Sequence, residues 1–183
     1  MKFQLIAKFK WRIAYDRHRT IKYQHMKYTI REARREDMDD VLELIKELAE
    51  HENHLDDVEV TVADLEKEGF DHGNFKCFVA DVGGKIEGMA LVYFRFSTWK
   101  GRTVHLEDLI VRESMRGTGL GGALYKQVVK YGHENGVKRI EWVVSEGNKN
   151  AIEFYENTGA EIKESWKTVH MEESGIQKNV KKK

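Results

Sequence analysis

Carboxylates and a glycine-rich turn lie close together in one part of the sequence. Glu107 and Asp108 occupy the middle of a β-rich stretch, residues 103–111. The glycine-rich segment 116–122 follows, and residues 123–131 then repeat apolar side chains at helical spacing. A glycine turn that opens a helix lets the backbone approach a ligand, and the first helical amides favour an anion. The sequence therefore predicts a binding site for a phosphate-bearing molecule beside a strand with two carboxylates.

Other interpretations of the glycine turn can be weighed against its context. Gly117, Gly119 and Gly122 satisfy G-x-G-x-x-G, the pattern of dinucleotide-binding folds. However, the turn follows a predicted hairpin, and about 60 residues remain after it. That is too few for a complete doubly wound dinucleotide domain. The Gly-Lys-Ser/Thr of a nucleoside-triphosphate loop is missing from the segment, and a structural turn without a ligand stays open as an alternative.

Hydrophobic periodicity and turn signals predict the elements that must position these residues. We predict strands at residues 28–31, 75–82, 85–96, 103–111, 137–144 and 160–171, and helices at 36–51, 62–68, 123–131 and 150–157. Thr61 is expected to cap the second helix and Gly69 to end it, while Gly83-Gly84 is typical of a hairpin turn. This order predicts one domain of the α/β (mixed α+β) class, with a mixed sheet and flanking helices.

The charges are distributed unevenly along the chain. Residues 1–25 hold seven Lys or Arg and one acid, and the last six residues add four lysines. Residues 26–177 then hold 20 basic and 30 acidic residues. Such a region repels anionic polymers and attracts small cations, so nucleic acid is not an expected partner. We predict a basic extension at 1–25, a folded domain at 26–177 that begins at Met26, and a basic tail at 178–183.

Cysteine, histidine and hydropathy patterns exclude several classes of protein. The single cysteine, Cys77, lies in an apolar stretch and is predicted to be a core strand position, so no disulfide framework is expected. His51, His54 and His105 lack the spacing of H-E-x-x-H sites, so no metal is expected. No apolar run is long enough to span a membrane, and residues 1–25 lack a secretory signal. A cytoplasmic protein without a membrane partner is predicted.

Two motifs resemble the cofactor site of one enzyme family. Residues 111–122 resemble the acetyl-CoA-binding signature of the GNAT N-acetyltransferases, Arg/Gln-x-x-Gly-x-Gly/Ala, here carried by Arg116, Gly119 and Gly121. Residues 148–160 look like the second half of that site, the Asn…Phe-Tyr…Gly-Ala element. The resemblance covers about residues 28–170. It implies the GNAT fold, with a mixed, mostly antiparallel central sheet flanked by helices, and it implies acetyl-CoA as co-substrate and a homodimer.

Within that family, several short segments resemble the spermidine/spermine and thialysine N-acetyltransferases. These segments are Leu44-Ile-Lys-Glu-Leu-Ala, Glu68-Gly-Phe, Tyr93-Phe, Trp99 followed by Gly101, and Leu106-Glu-Asp. The resemblance implies transfer of an acetyl group to the primary amine of a small cation. Departures from the polyamine enzymes at residues 96–99, and a shorter connection after Tyr155, make a diamine or thialysine as suitable an acceptor as a polyamine.

The resemblance also implies a role for individual residues. Glu107 faces the acceptor amine and draws off its proton, and Tyr155 is the general acid that protonates the departing sulfur. Because neighbours on a strand point to opposite faces, Asp108 is expected to have a different task from Glu107. The implied cofactor contacts are Leu109, Ile110, Val111, Arg116, Gly117, Thr118, Gly119, Leu120, Gly121, Gly122, Asn148, Ala151 and Tyr155. The implied acceptor contacts are Glu52, Glu107, Asp108, Glu141 and Trp142.

Further hypotheses accompany this assignment. His105 and Glu107 share a strand face, so His105 either packs or tunes the proton path. Glu164 is a further candidate acceptor contact. A non-catalytic acyl-CoA-binding module on the same fold, and acetylation of a protein or peptide amine, are the alternative functions; intact Glu107 and Tyr155 favour the enzyme.

Overall fold

The computed structural model describes residues 27–180, so the predicted extension 1–25, the predicted domain start at Met26 and the last three residues of the basic tail lie outside the described residues. The helices and strands are β1 (Thr29–Glu32), α1 (Met38–Glu52), α2 (Val62–Glu66), β2 (Lys76–Val82), β3 (Lys85–Ser97), β4 (Gly101–Val111), α3 (Leu120–Glu134), β5 (Ile140–Glu141), α4 (Lys149–Asn157) and α5 (Glu173–Val180). They belong to two compact units, which divide between Trp142 and Val143.

The first unit is built on a five-stranded sheet in the order β1-β2-β3-β4-β5. The first four strands are antiparallel neighbours, and β5 runs parallel to β4. Gly83 and Gly84 turn the β2–β3 hairpin with φ angles of 62° and 87°, a region that glycine enters without steric cost. The prediction of a mixed, mostly antiparallel sheet is confirmed.

Helices cover both faces of this sheet. On the α1 face, the apolar stripe of α1 (Met38, Val41 and Leu44) packs against Cys77, Val79, Met89, Leu91 and Ile110. On the α3 face, the stripe of α3 (Leu120, Leu124 and Val128) packs against Phe78, Ala90, Val92, Val104 and Leu106. The apolar residues of α1 and of α3 recur at helical spacing. The strand residues alternate between the two faces, because successive side chains of a strand point to opposite sides. Cys77 is a core position as predicted.

The predicted end of the second helix was wrong. After α2, the chain continues through Gly69 as a π-helical turn, Lys67–Asp71, which the His72 N–H closes on the Lys67 carbonyl at 2.9 Å. A Cβ at position 69 would lie 2.8 Å from the Phe75 ring. Gly69 therefore permits close packing against an aromatic ring instead of ending the helix.

Two predicted strands also differ from the structure. The predicted strand 137–144 forms a ladder only at Ile140–Glu141, and residues 160–171 form no strand in the part of the chain that the structure describes. Val169 and Met171 are exposed. A β-rich stretch becomes a strand only where another strand completes its hydrogen bonds, and sequence periodicity does not report that partner.

Candidate active site

The glycine-rich turn leads into a bare helix N-terminus. Gly117 and Gly119 have φ angles of 78° and 92°, so both need the conformational freedom of glycine. Gly119 is the N-cap of α3 and supplies no capping side chain, and the first helical bond runs from Ala123 N–H to the Gly119 carbonyl at 3.0 Å. The preceding amides of α3 therefore point outward without a helical acceptor, which is the geometry that binds phosphate oxygens.

Two glycines leave open space at this helix start. A Cβ added at Gly122 would meet no atom of the described residues within 4 Å, and at Gly121 it would make only a 3.7 Å contact with Val111. A ligand could reach the backbone here. The predicted phosphate site therefore has both the amides and the space that such a ligand needs.

The residues before the turn are tied to α1. Arg112 Nη2 lies 2.9 Å from a Glu43 oxygen, and its Nη1 lies 3.7 Å from Glu47. The Glu113 N–H donates to Glu47 Oε1 at 2.9 Å. Sequence reasoning missed this link. The signal was a pair of acids four residues apart on α1, but nothing in the sequence indicated their partner.

The second half of β4 has one open edge. In the described part of the chain, β5 pairs with β4 at only two positions near the start of β4. The Arg112 N–H donates to the Glu87 carbonyl on the β3 side at 2.9 Å. Alternation then directs the Ile110 amide toward β3 and the amides of Leu109 and Val111 toward the open edge. Of the three predicted cofactor contacts on this strand, Leu109 and Val111 therefore present backbone amides at the open edge, and Ile110 does not.

A β-bulge lies at the predicted catalytic carboxylate. Leu91 of β3 pairs with Asp108, but the next residue, Val92, pairs with Leu106. Glu107 is therefore the extra residue of β4, with no residue opposite. A bulge interrupts the alternation of side chains between faces and can redirect a side chain.

Both carboxylates accordingly lie on the α1 face. Glu107 Oε2 lies 3.5 Å from His105 Nε2, and the His105 ring packs against Tyr93, 5.1 Å between centroids. Asp108 pairs across the strands with Leu91, whose side chain belongs to the same face. The expectation that Glu107 and Asp108 point to opposite faces was wrong, because the bulge between them was not visible in the sequence. The hypothesis that His105 and Glu107 share a face is confirmed.

Among the carboxylates of this region, Asp108 has the pKa that departs most from its ordinary value. Burial, together with the negative charges of Glu107 and Glu52, raises its pKa to about 6. Glu52 ends α1 and is exposed, and the Glu107 side chain is 50% exposed. Three of the predicted acceptor residues therefore interact with one another. Their mutual repulsion favours a bound cation or a bound proton.

The proton position on His105 follows from its neighbours. Arg95 Nη1 lies 3.2 Å from His105 Nδ1, and because a guanidinium can only donate, Nδ1 must accept. The neutral imidazole then carries its proton on Nε2, which faces Glu107. Burial lowers the pKa of His105, and the Arg95 charge lowers it as well. Burial, followed by its hydrogen bond with Glu107, raises the pKa of Tyr93 to about 12.

The predicted acceptor residue Glu141 is already paired. Its Oε1 lies 3.3 Å from Arg95 Nη1, and its Oε2 lies 2.9 Å from Arg139 Nε. Two guanidinium groups therefore share one carboxylate. Its neighbour Trp142 packs edge-on against Tyr125, 5.9 Å between centroids. Sequence reasoning missed Arg95 and Arg139, because their approach to Glu141 depends on the pairing of β3, β4 and β5.

The second unit contains the other predicted cofactor residues. Asn148 is the N-cap of α4, and its Oδ1 accepts the Ala151 N–H at 3.1 Å. Tyr155 lies on the same helix, 8% exposed, with its ring edge-on to Phe154. The helix ends where Thr158 Oγ1 donates to the Tyr155 carbonyl at 2.6 Å. The motif thus builds a capped helix that carries Tyr155, while Glu164 lies exposed beyond it.

Two other predictions concern metal and membrane. Among residues 27–180, no group of three or more His, Cys, Asp or Glu side chains is arranged to hold a metal ion. Over the same residues, no helix combines the length and the apolar character needed to cross a bilayer.

Comparisons with known proteins identify the family. The model of the acetyltransferase (GNAT) family matches residues 28–160, so the chain belongs to the GNAT family. It is 36% identical over 141 residues to a thialysine N-epsilon-acetyltransferase of Bos taurus, covering 72% of this chain and 83% of the relative. It is 35% identical over 141 residues to a spermidine/spermine N(1)-acetyltransferase-like protein 1 of Homo sapiens, covering 73% of this chain and 20% of that protein.

Solved structures agree on the fold. An integron cassette protein from the mobile metagenome of V. cholerae has a TM-score of 0.70 at 24% identity, covering 85% of this chain and 99% of its own. An acetyltransferase of Trypanosoma brucei has a TM-score of 0.64 at 22% identity, covering 79% and 99%. The chain is therefore an acyltransferase of the GNAT fold, a family whose co-substrate is acetyl-CoA. The predicted family, subgroup and enzyme class are confirmed.

Proposed function

We propose that this enzyme transfers the acetyl group of acetyl-CoA to the primary amine of a small cationic acceptor by direct attack. The observation that carries the proposal is the cluster of Glu52, Glu107 and Asp108 on the α1 face. It lies at the bulge of the strand that leads to the glycine turn. A carboxylate cluster beside an anion-binding turn fits an ammonium next to a nucleotide-bearing thioester.

Glu107 holds the ammonium and removes its proton. A free alkylammonium titrates near ~10, so the acceptor arrives protonated and must lose a proton before it attacks. Glu107 is half exposed; it accepts a hydrogen bond from Tyr93, and His105 Nε2 lies 3.5 Å from its carboxylate, so both neighbours orient it. Asp108, which burial keeps partly protonated near neutral pH, supports the same cation.

Tyr155 completes the proton balance. The amine nitrogen forms a bond to the thioester carbon, the carbon–sulfur bond breaks, and the thiolate leaves with the electron pair. The Tyr155 hydroxyl gives that sulfur a proton, and the tyrosine is reprotonated by the second proton that the nitrogen loses as it becomes an amide. The net result is an acetylated amine, a free thiol and one proton released through Glu107.

The cofactor side uses mainly backbone groups. The amides of Leu109 and Val111 hold the pantetheine arm at the open edge of β4. The pyrophosphate binds the turn and the helix start. The residues of that grip are Arg116, Gly117, Thr118, Gly119, Leu120, Gly121 and Gly122. Asn148 and Ala151 support α4, which presents Tyr155.

The acceptor is a small amine of the polyamine, diamine or thialysine type. Relatives named for thialysine and spermidine/spermine support this range. An L-ornithine N5-acetyltransferase of Arabidopsis thaliana supports it as well, at 37% identity over 73 residues, 40% of this chain and 32% of its own. Glu52, Glu107, Asp108 and Trp142 stay the proposed acceptor contacts. Glu141 is neutralised by two arginines and does not offer a free carboxylate.

Predictions about the whole protein belong to the same proposal. Residues 26–177 form the acetyltransferase domain, with basic segments 1–25 and 178–183 outside it. The enzyme works in the cytoplasm as a homodimer, without nucleic acid or metal. Mass spectrometry of the native N-terminus tests where the domain begins, and light scattering of the purified protein tests the homodimer.

A thiol-release assay tests the proposed reaction. The full chain is given acetyl-CoA and a panel of spermidine, spermine, putrescine, thialysine, L-ornithine and a peptide with a free N-terminus. We expect turnover with at least one small amine and none with the peptide. Tyr155→Phe should remove most of the turnover. Tyr131→Phe, the control, should not, because it loses a hydroxyl near the C-terminal end of α3, away from the glycine turn. Turnover only with the peptide would contradict the proposal.

A further inference from the structure

His105 separates negative from positive charge in the proposed acceptor site. On one side of the imidazole lie Glu107 and, next to it, Asp108. On the other side Arg95 contacts Nδ1, and beyond it Arg139 shares Glu141 with Arg95. The Glu107 side therefore carries negative charge. The Arg95 side carries two guanidinium charges against one carboxylate, which leaves one positive charge uncompensated.

Arg95 is held in place and is also accessible. Its two contacts, 3.2 Å to His105 and 3.3 Å to Glu141, both use Nη1. A guanidinium has five N–H donors in a planar fork, so donors on Nη2 and Nε are left for a further acceptor. The Arg95 side chain is 52% exposed, compared with 35% for Arg139. Arg95 is thus a preorganised, solvent-facing donor of the type that binds carboxylates.

The distance between the two charges suits a short molecule. One imidazole ring separates them, with 3.5 Å from Glu107 to Nε2 and 3.2 Å from Nδ1 to Arg95. A molecule with its reacting ammonium at Glu107 would place a group several bonds away beside Arg95. A second ammonium at that point would meet a like charge, whereas a carboxylate would form a charge-assisted hydrogen bond.

We propose that Arg95 determines acceptor specificity by binding a carboxylate, and that the preferred acceptors are α-amino acids whose side chain ends in a primary amine. This inference rests on the proposed function and narrows it. Diamines and polyamines carry a cation where the site presents the Arg95 guanidinium, so they are the poorer acceptors.

Pairs of amines that differ only by the carboxylate test the inference. The full chain is assayed for thiol release with L-ornithine against putrescine, L-lysine against cadaverine, and thialysine against its decarboxylated form. We expect kcat/KM to be about 10- to 100-fold higher for the carboxylated member, the range that one charge-assisted hydrogen bond supports. Arg95→Gln should abolish this preference, mainly through the KM of the amino acid.

Two variants make the result specific to Arg95. Arg102→Gln removes a guanidinium from the same hairpin that stacks on Phe94, 3.4 Å from the ring centroid, and should leave the preference unchanged. Arg95→Lys keeps the charge but loses the fork, so the preference should fall only in part. The thermal midpoint of each variant shows that it is folded.

The outcomes separate the two proposals. Equal or faster turnover of the decarboxylated members by the unmodified enzyme would overturn the specificity inference and leave the proposed function standing. A carboxylate preference that survives in Arg95→Gln would overturn the role of Arg95. An absence of thiol release with every amine in the panel would overturn the proposed function and this inference with it.

Discussion

The cofactor side and the acceptor side of β4 are built by different physical means. The cofactor side consists of backbone groups, with an uncapped helix start, glycines at positive φ and an open strand edge. The acceptor side consists of side-chain charges whose net effect depends on pairing: Glu107 stands half exposed, while Glu141 is neutralised by two arginines. A backbone site depends on local sequence, but a charge site depends on partners from several strands.

The largest expected effect is loss of the proton-transfer groups. Glu107→Gln keeps the shape of the side chain and one acceptor oxygen but cannot accept a proton, so kcat should fall about 10²- to 10⁴-fold. The measurement is thiol release at saturating substrates across pH. Glu43→Gln, an acid-to-amide change on α1 beside Arg112, is the matched control and should keep kcat within a factor of two or so of the unmodified enzyme. A normal kcat in Glu107→Gln would remove this residue as the base.

Next in size is the effect of filling the bare helix start. Gly122→Ala meets no atom of the described residues and needs no special φ, so the fold should keep its stability or gain roughly 0.5–1 kcal/mol from better helix propensity. The added methyl group occupies the ligand's space, and the KM for acetyl-CoA should rise about tenfold while the KM for the amine does not change. An unaltered KM for acetyl-CoA would place the pyrophosphate elsewhere.

Gly119→Ala complements Gly122→Ala, because it should change the stability of the protein. At a φ of 92°, a Cβ is strained, so this variant should lose about 1–2 kcal/mol of stability. Chemical denaturation measures that loss. The pair separates a conformational role at Gly119 from a ligand-space role at Gly122, and equal loss of stability in both variants would contradict the separation.

The acceptor side should respond to pH through Asp108. Its folded-state pKa, raised to about 6 from 3.8, means that the native state holds a proton that the unfolded state has released between those values. The contribution of Asp108 to the free energy of unfolding should therefore fall as pH rises through this window, by up to about 3 kcal/mol. Denaturant midpoints between pH 4 and 7 measure it, and Asp108→Asn should flatten the curve. A pH dependence that Asp108→Asn leaves unchanged would show that Asp108 ionises normally.

The smallest effect is expected at the link between the two sides. Glu47→Ala removes the acceptor of the Glu113 N–H and one partner of Arg112, and should cost about 1 kcal/mol. Because that link holds the segment before the glycine turn, the KM for acetyl-CoA should rise a few-fold and the KM for the amine should not. Glu47→Gln, which keeps an oxygen acceptor, should recover most of the loss. A rise in the amine KM alone would assign Glu47 to the acceptor side instead.

Prediction from the sequence was most successful where the signal was local. Thr61 caps α2 and accepts the Asp64 N–H, as predicted from its position before a helical pattern. The hairpin at Gly83-Gly84 and the turn into α3 are likewise present. Prediction was wrong at Gly69 and at residues 160–171, where an aromatic neighbour and a missing strand partner, respectively, decided the outcome.

The sequence by itself determined the family, the order of the elements as far as α4 and the glycine turn, because these depend on residues close together in the chain. Only the tertiary structure decided that a bulge brings Glu107 and Asp108 to one face and that Arg95 and Arg139 neutralise Glu141. Those facts depend on the register between β3, β4 and β5. A register shift of one residue reverses the face of a side chain, and no local pattern encodes it.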